Sequence, residues 1–146
     1  MNSHDLSIRQ FKPEDYDRII SLWNTADLPV RPKGRDSYEN ISRQVRNGIA
    51  ILLVAELNGK IVGTILGTHD GRKGWINRLA VDSELRRKNI AKQLVSEAEK
   101  WFAENGLDIF ACVIEWENTA SMEVFKKLGY KEWDVRYFSK RKSSES

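Results

Sequence analysis

The stretch Trp75-Ile76-Asn77-Arg78-Leu79-Ala80-Val81-Asp82-Ser83-Glu84-Leu85-Arg86-Arg87-Lys88-Asn89-Ile90-Ala91 decides the reading of this chain. Residues 75–81 have the apolar, β-branched character of a strand. From about Asn89 to Glu104, Ile90, Leu94, Val95, Ala98, Trp101 and Phe102 recur at helical spacing. Between strand and helix lies the basic loop Arg86-Arg87-Lys88. A basic loop that feeds a helix N-terminus is a phosphate cradle, because unused backbone N–H groups and the helix dipole favour an anion and Arg or Lys adds charge. Residues 72–92 carry seven basic side chains (Arg72, Lys73, Arg78, Arg86, Arg87, Lys88, Lys92) against Asp82 and Glu84, whereas the whole chain carries only +3. The positive excess therefore centres on this loop. A solvated face with chance bunching of charge is the plain alternative for the cluster alone.

Working outward, Leu6–Phe11 alternates weakly and reads as a first strand. Pro13 opens a helix with Glu14 and Asp15 in its first turn, and Tyr16, Ile19, Ile20 and Trp23 form its apolar stripe. Pro29 and Pro32 make residues 25–36 a loop, and residues 37–47 form a second helix closed by Gly48. Residues 49–57 and 60–68 are strands joined by Asn58-Gly59, a two-residue hairpin turn in which both positions tolerate positive φ. Residues 69–74 are another turn. After the cradle helix, Gly106 leads into a short apolar strand at residues 107–114. Asn118 caps a fourth helix carrying Ala120, Val124, Phe125 and Leu128, which Gly129 stops. Residues 130–140 read as a final strand, and 141–146 as a frayed polar tail. The order is β-α-α-β-β-β-α-β-α-β, an α/β arrangement in which strands 75–81 and 107–114 lie parallel.

At 146 residues, 40% of them hydrophobic, the chain reads as a single domain, 1–146, with its own core. Apolar runs such as Ile49–Ala55 are too short to cross a bilayer, and the N-terminus shows no signal-peptide core. Cys112 is the one cysteine, so an intrachain disulfide is excluded, and with two histidines no metal site is expected. A cytoplasmic, reducing setting follows as the expectation. Cys112 has no neighbouring His or carboxylate in sequence and reads as a small core residue.

These elements resemble the GNAT (Gcn5-related N-acetyltransferase) superfamily over nearly the whole chain, most strongly from Trp75 to Tyr130. Leu79-Ala80-Val81-Asp82 followed by Arg86 to Ala91 is similar to the family's acetyl-CoA motif. Asn118 with Phe125-Lys126-Lys127-Leu128-Gly129-Tyr130 is similar to its second block, and Asp70–Gly74 with Arg31-Pro32 to small bacterial members of undefined acceptor. The resemblance implies a mixed, mostly antiparallel sheet of six to seven strands with helices on both faces. It also implies transfer of acetyl from acetyl-CoA to a primary amine of a small molecule or protein, by direct attack in a ternary complex.

Coenzyme A would be held by Leu79, Ala80, Val81, Arg86, Arg87, Lys88, Asn89, Ile90, Ala91, Asn118 and Phe125. The loop amides would take the diphosphate, the strand backbone the two pantetheine amides, and N–H groups at Leu79–Val81 the oxyanion. Two residues depart from the family pattern. Asn89 stands where glycine is usual, and Asn is the next residue to tolerate left-handed φ. Phe125 stands where a tyrosine often serves as general acid, and neither Asn77 nor Arg78 supplies the usual strand carboxylate. Candidate catalytic groups are Glu115, Glu117 and Asn77, with Asp27, Asp70 and His69 as further bases through ordered water. Trp23, Asp27, Arg31, Asp70, Arg72, Trp75 and Asn77 are the candidate acceptor pocket, against the alternative of a hydrophobic cap with surface charge. Trp133 and Tyr137 alternate on the last strand and face either the acceptor or a second subunit, so a homodimer stays open. An acyl-CoA-binding module with little catalysis is the second reading, and a nucleic-acid binder, resting on charge alone, the third. Neither nucleic acid nor a membrane is an expected partner.

Overall fold

The computed structural model of the chain describes residues 6–26, 28 and 30–146, with the backbone but not the side chains of residues 86–88. Five strands form one sheet in the order β1-β2-β3-β4-β5: Leu6–Gln10, Ala50–Leu57, Lys60–His69, Gly74–Val81 and Phe110–Cys112. The first four are antiparallel neighbours, and β5 lies parallel to β4. Four α-helices complete the fold: α1 (Tyr16–Thr25), α2 (Tyr38–Arg46), α3 (Ile90–Glu104) and α4 (Thr119–Lys127). The local signals act as read. Asn58 and Gly59 both have positive φ, 52° and 81°. The Ser37 hydroxyl caps α2 by accepting from the Asn40 amide, and the Asn118 carbonyl caps α4 by accepting from that of Ser121.

The sheet is covered on both faces, which is why β2 reads as an unbroken apolar run rather than an alternation. Ala50, Leu52 and Val54 pack with Ile19, Leu22, Trp23 and Ile41 under α1 and α2. Ile51, Leu53 and Ala55 pack with Leu94, Val95, Ala98, Phe102 and Phe125 under α3 and α4. Glycines seat α3 closely: a methyl on Gly63 would come within 3.1 Å of Ile90 and Leu94, and one on Gly74 would strike the Phe102 ring. Gly74→Ala is therefore expected to cost about 1–3 kcal/mol, the usual penalty of overpacking a filled core. Denaturant titration would show a lower midpoint at unchanged slope.

At the rim of β1, the Arg9 guanidinium forks onto Asp15 at 2.8 and 3.2 Å and reaches Glu56 at 3.4 Å. The Lys12 amide adds a third bond to Asp15 at 2.7 Å. This fork, ahead of the amide, holds the Asp15 carboxyl below its ordinary value of 3.8. A lowered carboxylate pKa stabilises the fold above the unfolded value, and the gain fades as pH falls through the folded value. Asp15→Asn should thus cost about 1–2 kcal/mol at neutral pH, discounted because Arg9 is partly exposed. The gap between variant and parent should close in acid, below about pH 4.

Two differences from the sequence reading concern the C-terminal half. The parallel strand expected over residues 107–114 pairs only at Gly74↔Phe110, Trp75↔Ala111 and Ile76↔Cys112. Residues 130–140 form no strand in the single chain. The sheet accordingly has five strands rather than six or seven. β5 is the edge strand and pairs with β4 over only three residues, so it offers a short edge for residues 130–140 to join. No helix among the described residues is long and apolar enough to cross a membrane.

Candidate active site

β4 sets the geometry. Its pairing with β3 skips one residue: Leu66 faces Arg78 and Gly67 faces Ile76, so Asn77 is a β-bulge. The extra residue breaks the in–out alternation. Ile76 packs with the α3 core, while Arg78 and Ala80 turn to the α1/α2 face. From there to Val81, β4 is paired with β3 on one side only, since the β5 ladder ends at Ile76. Leu79, Ala80 and Val81 thus present backbone donors and acceptors along an edge that no described strand fills.

The loop after β4 is built to aim at that edge. The Asp82 side chain accepts from the Glu84 amide at 3.0 Å, which starts a 3-10 turn over Ser83–Lys88. Leu85 anchors the turn on the core. Asn89 then reverses the chain at φ 59°, ψ 22°, in the left-handed region expected of a glycine replacement. The first backbone bond of α3 is from the Gln93 amide to the Asn89 carbonyl, and the Asn89 side chain caps nothing. The amides of Ile90, Ala91 and Lys92 are therefore unused within the helix, a place where an anion is favoured. The side chains of Arg86, Arg87 and Lys88 lie outside the described residues.

Phe125 is buried in the α3/α4 core, edge-on to Tyr130 with ring centroids 5.1 Å apart. The Tyr130 hydroxyl donates to the Glu99 carboxylate at 2.6 Å, and burial, ahead of that bond, pushes its pKa up. The Cys112 thiol is also pushed up, to about 11, by burial. It stays protonated at neutral pH and is a poor nucleophile. Asn118 is an exposed helix cap.

The candidates for acid–base work are dispersed. Glu115 and Glu117 are exposed in the turn before α4. The Asp70 carboxylate accepts from the Lys73 and Arg72 amides at 2.8 and 2.9 Å and from the Trp75 indole at 3.4 Å. Those bonds hold its pKa down to about 2, so it shapes the turn and is a weak base. His69 is likewise committed. Its Nδ1 accepts from the Gly71 amide at 3.1 Å, which leaves Nε2 to donate to the Gly48 carbonyl at 3.0 Å. The Asn77 amide, exposed in the bulge, donates to the Thr68 hydroxyl at 2.7 Å. Among the described residues no group of three His, Cys, Asp or Glu is placed to hold a metal ion.

The proposed acceptor residues divide. Asp27 lies outside the described residues. Asp70 and Arg72 belong to the β3–β4 turn, with Arg72 exposed at its tip, and Trp75, on β4, reaches back to Asp70 through its indole. Trp23 is not a pocket wall but fully buried: its indole donates to the Thr64 hydroxyl at 2.8 Å, and the Arg78 guanidinium lies 5.6 Å from its ring centroid. Arg31 joins this group through its backbone, whose amide donates to Asp36 at 2.8 Å. Asp36 is the hub that sequence reasoning missed. It is 2% exposed, accepts from Arg78 at 2.9 Å, and its carbonyl takes the Tyr16 hydroxyl at 2.7 Å. The ion pair anchors the loop after α1 to β4. The readable signal was Arg78, a charge inside an apolar strand; nothing in sequence singles out Asp36.

The profile of the acetyltransferase (GNAT) family matches residues 15–130. Three solved structures share the fold. The aminoglycoside N-acetyltransferase AAC(6′)-Iy in complex with CoA aligns at TM-score 0.80 and 20% identity, covering 98% of each chain. The PaiA N-acetyltransferase from Thermoplasma acidophilum, in complex with coenzyme A, aligns at 0.76 and 22%, covering 90% of this chain and 93% of that one. An acetyltransferase from Trypanosoma brucei aligns at 0.72 and 19%, covering 94% of this chain and all of that one. The family match extends from the start of the first helix to the close of the second motif block, and on that ground the chain belongs to the acetyltransferase (GNAT) family.

Proposed function

We propose that this acetyltransferase takes acetyl-CoA as donor and passes the acetyl group directly to a primary amine, on a small molecule or a protein. The observation that carries the reading is the unfilled β4 edge, Leu79–Val81, leading to unused amides at the start of α3. The diphosphate binds at the Ile90–Lys92 amides past Asn89, with Arg86, Arg87 and Lys88 adding charge. Pantetheine pairs along β4 as a strand would, and its thioester carbonyl reaches the β4 N–H groups, which stabilise the tetrahedral oxyanion. Asn118 borders the arm, and Phe125 packs beneath the thiol end. Proximity supplies much of the rate.

Proton handling is sparse. Phe125 cannot protonate the leaving thiolate, and the Tyr130 hydroxyl is bound to Glu99. A thiolate leaves tolerably without help, since thiol pKa values are only about 8.5. On the amine side Asp70 is too weak and His69 is bound, so among the described candidates Glu115 and Glu117 remain, acting through water. The rate should therefore follow the free-amine fraction, rising with pH toward the acceptor's own pKa, about 10.4 for a lysine-like amine. A plateau starting near neutrality with such an amine contradicts this and points to a dedicated base.

The test of the function is coenzyme A thiol release across a panel of amines. Release with at least one class supports transfer. Saturable coenzyme binding with silence across the panel supports the second reading, an acyl-CoA-binding module, which the unavailable general acid favours.

A further inference from the structure

The loop after α1 gathers positive charge beside β4. Residues 26–36 hold Arg31, Lys33 and Arg35 against Asp27 and Asp36. The Asp36 carboxylate is committed to Arg78 at 2.9 Å and to the Arg31 amide at 2.8 Å. The next carboxylate along the chain, Glu39, bears on the Tyr16 hydroxyl. Arg31 and Arg35 therefore keep guanidinium groups that pair with no carboxylate among the described residues. Arg31 Nη1 reaches the adjoining Val30 carbonyl at a long 3.4 Å, and its Nε is buried with no hydrogen-bond partner among the described residues. Buried donors in folded proteins are nearly always bonded, so this one points to an acceptor supplied from outside the chain. Partial burial first, and then the charges of Arg78, Arg141 and Arg31, hold the Arg35 pKa below its ordinary value against the opposing pull of Asp36. The tail completes the group: the Glu145 carbonyl lies against Gly34, and Arg141 donates to the Ser146 carbonyl at 2.8 Å. Guanidinium groups crowded around one carboxylate repel one another until a further anion joins them.

We propose that the acceptor is an amine bearing an anionic group, a carboxylate or a phosphate, and that Arg31 and Arg35 bind that group while the amine faces the thioester. The inference rests on the acetyl-transfer reading and adds its substrate class. Position supports it. The Asp36–Arg78 pair fastens the arginine loop to the β4 residue that directly precedes Leu79, the first of the strand N–H groups assigned to the thioester carbonyl. The Trp23 ring, 5.6 Å from the Arg78 guanidinium, braces that fastening from within the core. Chemistry supports it too. A guanidinium presents a planar fork that matches a carboxylate or phosphate with two parallel bonds, and two such groups on one loop fix an anion in place as well as in charge. A diamine brings a second positive charge to the same place and is repelled. The transfer step is unchanged: the neutral amine nitrogen forms the amide bond, the thioester C–S bond breaks with its electron pair going to the coenzyme sulfur, and the nitrogen's proton passes to water.

The test uses amines that share one aliphatic arm and differ at its far end: 5-aminopentanoate, 4-aminobutyl phosphate, pentylamine and 1,5-diaminopentane. Each is titrated calorimetrically into the full chain saturated with coenzyme A, so the readout needs no turnover and the diphosphate cradle is already filled. KM is read alongside from thiol release. The anionic amines should bind about tenfold or more tighter than pentylamine, with the diamine weakest. The tighter of the two anionic amines identifies the group as carboxylate or phosphate. Arg31→Ala and Arg35→Ala should each shrink the preference about five- to tenfold while coenzyme A affinity holds. Arg35→Lys keeps the charge without the fork and should retain part of the preference. Arg35 is exposed, so the fold is expected to persist, and circular dichroism checks it. Failure to bind coenzyme A in the first titration overturns the acetyl-transfer reading and this proposal with it. Normal coenzyme binding followed by equal affinity for the amines, by binding of none, or by preference for the diamine overturns this proposal alone. So does a preference for the anionic amines that outlives both alanine substitutions.

Discussion

Asp36→Ala is expected to lower stability by about 3–5 kcal/mol, the range seen when one member of a buried ion pair is removed. Asp36 and Arg78 are 2% and 8% exposed. Removing the carboxylate leaves a guanidinium charge in the interior without this counter-charge, and strips the Arg31 amide of its acceptor. The guanidinium, against the Trp23 ring, cannot be rehydrated cheaply. Asp36→Asn keeps an oxygen for the Arg31 amide and should cost less. Urea denaturation reads the stability. Because the pair ties the loop after α1 to β4, acceptor KM should worsen in the surviving Asn variant while coenzyme affinity holds. Equal weakening of coenzyme binding would show that the pair supports the whole site instead.

Asn89→Val is expected to weaken coenzyme A binding about 10- to 100-fold. A residue at φ 59° is tolerated as Asn, but a β-branched side chain there is strained by a few kcal/mol. The turn relieves that strain by moving to negative φ, which rotates the Ile90–Lys92 amides away from their common target. Asn89→Gly, by contrast, suits the conformation and lets the backbone approach more closely, so affinity should hold or tighten. Calorimetry on the three proteins gives the order Gly, Asn, Val. Similar affinities for Val and Asn would place the diphosphate elsewhere.

Local chemistry carried most of the legible fold. Asn58-Gly59 fixes its hairpin because both residues accept positive φ, and the apolar run of β2 reads as a strand buried on two faces. Asn89 was legible for the same reason as Asn58. The bulge at Asn77 was not, because an inserted residue is visible only against its partner strand. That insertion decides which face Arg78 occupies, so the Asp36 hub stayed hidden with it. Trp23 was read as a pocket residue, since sequence cannot tell an aromatic lining a cleft from one bonded to Thr64 in the core. The alternation at Trp133, Val135 and Tyr137 has the right period for a strand. A period states what a segment can pair as, not whether its chain supplies the partner.

The cradle after β4 is proposed to bind the diphosphate of coenzyme A and so to place a thioester for attack by an amine. Calorimetric titration of coenzyme A into the unmodified protein tests it most directly. Saturable heat at one site per chain, abolished by prior addition of acetyl-CoA, is expected. No saturable heat at millimolar coenzyme A would contradict it.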